Sequence, residues 1–203
     1  MRRITSVLIF ALAGLALALA QKPAQVLDKA VAVIDGAGGV TANYTLTSSH
    51  GNSNGTFAMS GEKFRVLSPE VKCWFDGNDQ WAYSPTTGEV NITTPTAREL
   101  QMTNPLAAAR AFKKGCKLSK AKRQAPGMHT IVLIPNERGD VKGITLDIDR
   151  NTYLLHTAVF VMNNGQHFAI TLTNYKTGVA LPASTFTYDP SKVPAGTEVV
   201  DLR

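Results

Sequence analysis

The sequence predicts an α+β protein built on one strongly curved antiparallel sheet of roughly eleven strands, an incomplete β-barrel with helices covering its concave side. Three observations carry that prediction. Much of the chain from residue 41 to 189 falls into short β-prone segments with period-two alternation, separated by Gly, Asn, Pro or Asp. Helical periodicity is confined to residues 26–34 and to a patch at 96–114. Strands and helices never alternate as βαβ units, so strands pair with their neighbours through tight turns. A sheet of this many strands accumulates twist and curls rather than staying flat and open.

The chain begins with Arg2 and Arg3 ahead of an apolar run from Val7 to Ala20 that ends Ala18-Leu19-Ala20. That pattern of positive start, short apolar stretch and small residues is the pattern of a secretory signal peptide over residues 1–20, cleaved before Gln21. No cysteine follows the expected cleavage site, which argues against a lipid anchor on this chain. Residues 21–203 are then expected to form a single domain with a substantial core. No later segment reaches the roughly 20 consecutive apolar residues of a membrane helix, and a soluble product of export follows.

The first mature element is expected to be a helix. Val26, Leu27, Ala30, Val31 and Ile34 keep one apolar face, and the glycines of Gly36-Ala37-Gly38-Gly39 stop it. Six strands follow at 41–49, 54–60, 62–68, 70–76, 79–84 and 88–93. In the middle patch, Thr96-Ala97-Arg98-Glu99 reads as a capping box. Asn104-Pro105 supplies an N-cap and a proline at N1 for a helix running to Lys114 and ended by Gly115. Strands resume with a short one around 116–122, then at 127–135, 141–149, 153–162, 166–175 and 185–189.

Alternation names the two faces of several strands. Phe64 and Val66, Trp81 and Tyr83, Ile144, Leu146 and Ile148, and Phe168, Ile170 and Leu172 alternate with mostly polar partners such as Lys63, Arg65, Thr145 and Asp147. A curved sheet of this size encloses more volume than a few short helices fill, so an apolar cavity is expected alongside a packed core. Met59, Met102 and Met162 would add adaptable contacts to it. The hairpin W-F-D-G-N-D-Q-W-A-Y at 74–83 concentrates aromatic residues around a tight turn in which Gly77 takes positive φ. Trp81 and Tyr83 share a strand face and are expected to point into the concavity, with Trp74 either joining them or lying outside.

Charge and reactive residues narrow the function. The formal charge of +6 falls to +4 without Arg2 and Arg3, and Arg110, Lys113, Lys114, Lys117, Lys120, Lys122 and Arg123 crowd one stretch. Such a run is either a solvated surface or a contact for anionic lipid headgroups or an acidic partner. Nothing resembles a nucleic-acid module. Cys73 and Cys116 could pair in an oxidising compartment or stay as buried thiols. Their spacing and the lack of nearby histidines give no metal site, and no cofactor motif is present. His129, His156 and His167, with Asp147 or Asp149, would be the only material for a hydrolase. No GxSxG or HExxH motif accompanies them, so no catalytic residue is assigned and a non-enzyme is expected.

Several stretches resemble the periplasmic outer-membrane lipoprotein carrier family, the LolA-like proteins. They are F-x-M-x-G-x-K-F from Phe57 to Phe64, the 74–83 hairpin, P-T-x-x-E-L-x-x-x-N-P at 95–105 and the closing E-V-V-D-L-R at 198–203. The resemblance implies an incomplete barrel with helices as a lid over an apolar cavity that takes lipoprotein acyl chains. It implies a monomeric periplasmic carrier, receiving cargo from an inner-membrane lipoprotein-releasing transporter and passing it to an outer-membrane acceptor. The expected cavity lining is Phe57, Met59, Phe64, Val66, Trp81, Tyr83, Ile144, Leu146, Ile148, Phe168, Ile170 and Leu172, with Met102 and Leu106 from the lid. Better-known members carry Arg-Pro at the end of the strand matching 54–60, the arginine latching the lid; Ser60-Gly61 stands there in this chain. An anchor of three acyl chains has roughly 40 methylenes, and at about 0.8 kcal/mol each its exposure costs on the order of 30 kcal/mol. Such cargo needs a shield in water. A lipid- or lipoprotein-sensing module of the same fold is the alternative.

Overall fold

The structure, a computed structural model, describes residues 21–49 and 51–203, with the side chains of 101–103, 105 and 106 also outside the description. The signal peptide expected at 1–20 therefore lies outside the described residues.

Helix α1, Pro23–Asp35, starts with proline at N1 and with the Gln25 side chain accepting the Lys22 backbone N–H. It ends at Gly36, whose N–H returns to the Ala32 carbonyl. The meander then runs β1 (Val40–Ser48), β2 (Gly51–Ser60), β3 (Lys63–Leu67), β4 (Lys72–Phe75), β5 (Gln80–Ser84) and β6 (Glu89–Thr93). Helices α2 (Ala97–Thr103) and α3 (Pro105–Gly115) interrupt it, followed by β7 (Cys116–Lys120), β8 (Met128–Pro135), β9 (Val141–Asp149), β10 (Leu155–Met162) and β11 (His167–Thr177). Strand β12, Glu198–Asp201, closes the order.

All twelve strands belong to one sheet, in the order β12-β6-β5-β4-β3-β2-β1-β11-β10-β9-β8-β7. Its two edges, β7 and β12, do not meet, so the sheet is curved and unclosed. Every described pairing is antiparallel except β12 with β6. Eleven of the twelve strands fall on expected segments, and the twelfth is the closing E-V-V-D segment. The expected strand at 185–189 is absent. Two 3-10 turns, Ala183–Thr185 and Pro190–Lys192, occupy that region. There Phe186 is buried and Tyr188, half-buried, meets Trp74, and period two alone does not require a ladder partner.

Two apolar clusters line the concave face. One holds Val26, Leu27, Cys116, Ile131, Leu133, Ile144, Leu146, Ile148 and Ala158; the other holds Met59, Phe64, Cys73 and Phe75. Helix α1 serves both, because Ala30 packs on the first while Val31 and Ile34 pack on the second. The sheet is tightly packed at Gly55, where a Cβ would fall 2.4 Å from the Leu67 carbonyl and 2.5 Å from the Tyr44 ring. Only glycine lets the Tyr44 ring lie across that strand.

Candidate functional site

Cross-strand register places the predicted residues. Phe57, Met59, Phe64 and Val66 face the helices in the second cluster, and Ile144, Leu146 and Ile148 do so in the first. Between the clusters run β1, β11 and β10, where Leu172 pairs with Tyr44, Ile170 with Leu46 and Ala158, and Phe168 with Phe160. These positions share the concave face. They differ in burial: Met59, Phe64, Ile144 and Ile148 are each 1% exposed, whereas Tyr44, Leu46, Phe160, Phe168, Ile170 and Leu172 are only half-buried. Fully buried side chains already have their partners. The half-buried strip is the part of the concave face with apolar surface left to offer.

Helix α3 lies at the edge of this strip. Phe160 stacks on Phe168 with ring centroids 4.7 Å apart and planes 12° from parallel, and Phe112 of α3 meets Phe160 at 6.4 Å and 59°. The described side chains of α3 give the core only Ala109 and Phe112, both partly buried. By contrast α1 buries Val26 and Leu27 to 2% and 3% exposure. A fully buried side chain of that size contributes about 1.5–3 kcal/mol, so α1 is firmly seated, whereas the described apolar contacts of α3, Ala109 and Phe112, are only partly buried. The expected lid residues Met102 and Leu106 lie outside the described side chains. Tyr44, Leu46, Phe112 and Phe160 escaped the sequence reading, although the alternation in Tyr44-Thr45-Leu46 was available to find two of them.

Polar contacts hold α2 and α3 at the β2–β3 turn. Thr96 and Glu99 form the expected capping box, with the Thr96 backbone N–H donating to Glu99 Oε2 at 2.7 Å and the Glu99 N–H to Thr96 Oγ1 at 3.3 Å. Asn104, 1% exposed, joins the helices: its Oδ1 accepts the Ala107 N–H at 3.1 Å and its Nδ2 donates to the Glu62 carbonyl at 2.8 Å. Arg110 bridges Glu62 at 2.6 Å and Asp35 at 3.5 Å, and Lys113 bridges Asp28 at 2.5 Å. The side chains in these bridges are 44–56% exposed, so solvent screening holds each to about 0–1 kcal/mol. Ser60, the last residue of β2, donates its hydroxyl to the Gly38 carbonyl at 2.5 Å. The turn is thus the place where helices dock, with Asn104 and Arg110 reaching it from the helix side.

The family model described as outer membrane lipoprotein carrier protein LolA matches residues 14–166. The chain belongs to that family. No curated protein sequence is a significant match. Among solved structures, this LolA-family chain resembles an uncharacterized conserved protein from Thermus thermophilus, with a TM-score of 0.59 and 12% identity over 87% of this chain and 97% of that one. A LolA superfamily protein from Nitrosomonas europaea aligns with a TM-score of 0.43 and 13% identity, covering 83% of this chain and 99% of its own. A putative outer membrane lipoprotein-sorting protein domain from Vibrio parahaemolyticus gives 0.45 and 11%, covering 81% and 95%. At these identities the likeness is one of fold.

The orientation expected for Trp81 and Tyr83 is corrected in this LolA-family chain. Phe75 pairs with Gln80 and Cys73 with Ala82, so the concave face of β5 carries Gln80 and Ala82. Trp81 pairs with Trp74 and Tyr83 with Lys72, placing both on the outer face. There Trp74 is 1% exposed and meets Tyr188 edge-on at 5.7 Å, with Phe186 and Val90 also buried at 1% and 0%. The hairpin aromatics therefore build a second core under the 183–192 strap. Sequence alternation showed that Trp81 and Tyr83 share a face, and the unrecognised strap is why the wrong face was chosen.

The remaining reactive residues of the LolA-family chain are dispersed. Cys73 and Cys116 are free and buried in different clusters. Burial pushes the Cys73 thiol up to about 12 and raises that of Cys116. Asp147 accepts from Thr130 Oγ1, and Asp149 accepts from the Asn151 and Thr152 backbones and Thr152 Oγ1. Neither carboxylate is hydrogen-bonded to a histidine among the described residues. Of the basic run, Arg110 and Lys113 are spent on the helix bridges, while Lys117 stands exposed on edge strand β7, where lysine discourages edge-to-edge pairing.

Proposed function

We propose that this protein is a periplasmic carrier, residues 21–203 after removal of a leader, that holds the acyl chains of a lipoprotein on the half-buried strip of β1, β10 and β11 beneath α3. The observation that carries the reading is the contrast in seating. The strip offers apolar surface left half-exposed, and among the described side chains its cover contributes the partly buried Ala109 and Phe112, the Asn104 hydrogen bonds and surface-exposed ion pairs. A guest with tens of methylenes outweighs such a cover by a wide margin, since each buried methylene contributes about 0.8 kcal/mol. Entry would lift α3 from Phe160, with Gly115 and Cys116 as the hinge into β7, and would break the Asn104 and Arg110 contacts to Glu62. Fixed polar groups inside the strip are few, which suits release as much as capture. Family membership supports a donor in the inner membrane and an acceptor at the outer membrane. The fold neighbours add nothing to the choice of cargo.

The test is to incubate the purified protein with inner-membrane vesicles holding a triacylated lipoprotein and a functioning releasing transporter, then weigh the soluble fraction by native mass spectrometry. A one-to-one complex that Phe168→Asp removes without unfolding the protein supports the carrier. No release by the wild-type chain overturns it.

A further inference from the structure

A second concavity lies away from the acyl strip, at the end of the sheet where α1 begins. It has a volume of about 560 Å³ and is lined by Gln21, Pro23, Val26, Lys120, Gln124, His129, Thr130, Ile131, Arg150 and Tyr153. Val26 and Ile131, each 2% exposed, belong to the packed first cluster and close its floor. An acyl chain therefore has no path inward from it. The size suits a small organic molecule.

Its walls carry charge of one sign. Lys120 comes from β7 and Arg150 from the turn after β9, and Lys29 of α1 stands at the rim with its Nζ 3.3 Å from the Tyr153 hydroxyl and 4.7 Å from the ring centre. None of these three cations has a carboxylate within 4.0 Å among the described residues. Asp149, the nearby anion, has turned its carboxylate into its own turn. Arg150 uses only Nε, which donates to the Met128 carbonyl at 2.9 Å, so the far side of its guanidinium remains to be used. His129 stacks on Tyr153 with centroids 5.8 Å apart and planes 24° from parallel. Tyr153 has φ 58, a left-handed backbone unusual for a bulky residue, and its hydroxyl contacts Gln21 and Lys29.

We propose that this cavity binds an organic phosphate, its phosphoryl group held by Lys29, Lys120 and Arg150 and its remaining part set against the stacked His129 and Tyr153 rings. The three solvent-exposed cations add their fields over one concavity, an attraction that salt screens, and the free guanidinium edge matches two phosphate oxygens. Burial first, then Arg150, Lys120 and Lys29, hold the His129 pKa below its ordinary value, against the opposite pull of Asp149. A bound phosphate would neutralise those cations and raise it again. Neither this site nor its ligand depends on the acyl strip.

Soluble phosphoester and lipid headgroup share this chemistry, and two probes separate them. Glycerol 3-phosphate is titrated calorimetrically into the purified protein at low and physiological salt. In parallel, phosphatidylcholine vesicles with and without phosphatidic acid are tested by flotation. The expected result is saturable binding of at least one probe, weaker at higher salt and reduced at least tenfold by Lys120→Gln with Arg150→Gln. Lys120→Glu alone, at a side chain with no hydrogen bond among the described residues, should do the same if the double variant fails to fold, and Lys114→Gln with Lys122→Gln should leave binding unchanged. Binding of glycerol 3-phosphate assigns a soluble ligand; binding confined to phosphatidic acid vesicles assigns a headgroup. The His129 ring proton should titrate at higher pH in the presence of the bound probe. Absence of binding to both probes, or binding indifferent to Lys120 and Arg150, overturns the proposal. Phe168→Asp should leave phosphate binding intact, which keeps this result separate from the fate of the carrier reading.

Discussion

Asn104 donates its Nδ2 proton to the Glu62 carbonyl from a position 42 residues away in sequence, and the same side chain caps α3. One buried amide thus fixes both where α3 starts and where the helical pair rests on the sheet. Asn104→Ala removes the cap and leaves the Glu62 carbonyl short of a partner, so it should cost about 1–3 kcal/mol in denaturant unfolding. Asn104→Asp keeps an acceptor for the Ala107 N–H but loses the donor. If its unfolding midpoint equals that of the wild type, the contact to Glu62 contributes nothing.

Arg110→Ala and Lys113→Ala should each change global stability by less than about 1 kcal/mol, because their bridges are exposed and screened. Their effect should appear as faster amide exchange confined to α3, rising several-fold and more at low salt, where the wild-type bridges are strongest. Uniform acceleration across the sheet would contradict a lightly seated cover.

Phe168→Asp and Trp81→Asp separate the two faces. The first should abolish lipoprotein release while the protein stays folded. The second places a charge in the outer core and should lower the unfolding midpoint, while whatever folded protein remains still takes up cargo. Loss of uptake by folded Trp81→Asp protein would return that residue to the cargo side.

Tyr188→Ala should uncover Trp74, seen as a red shift of tryptophan emission in the native state, with a loss of about 2–4 kcal/mol for the truncated ring. Unshifted emission would show that the 183–192 strap does not shield the indole.

The Cys73 thiol links stability to alkaline pH. Its folded pKa is raised to about 12 from an ordinary value of 9.0 by burial, so the folded state favours the protonated form. The contribution is fully present below about pH 9 and is lost as pH rises from there towards 12. Unfolding free energy should therefore fall across that window in the wild type, and less steeply in Cys73→Ala. Equal slopes would place the alkaline sensitivity elsewhere.

Local chemistry made much of the fold readable. The Thr96–Glu99 box, the Asn104-Pro105 start and the glycines after α1 act within a few residues, and the structure bears out α1, α2 and α3 at the expected places. The meander was legible because tight turns leave antiparallel neighbours little choice. What sequence did not carry is the identity of the surface opposite each strand face. Trp81 and Tyr83 alternate as well as Phe168 and Ile170 do, and only the chain at 183–192 decides that one pair is covered from outside. Strand β12 was missed for a related reason: its partner, β6, lies more than a hundred residues back and the pairing is parallel. The contacts of Asn104 and Arg110 to Glu62, next to the β2–β3 turn, were not legible either, because that reach is a matter of tertiary placement.

The two free cysteines sit one in each concave cluster, with α1 serving both. The molecule therefore carries its own pair of clocks. Under a thiol-reactive probe, Cys116, next to the hinge of α3, times the loosening of one half of the interior, and Cys73 times the other. Labelling of Cys116 ahead of Cys73 would mean that the cover lifts while the β2–β4 half stays shut; simultaneous labelling would mean that α1 transmits opening across the whole concavity.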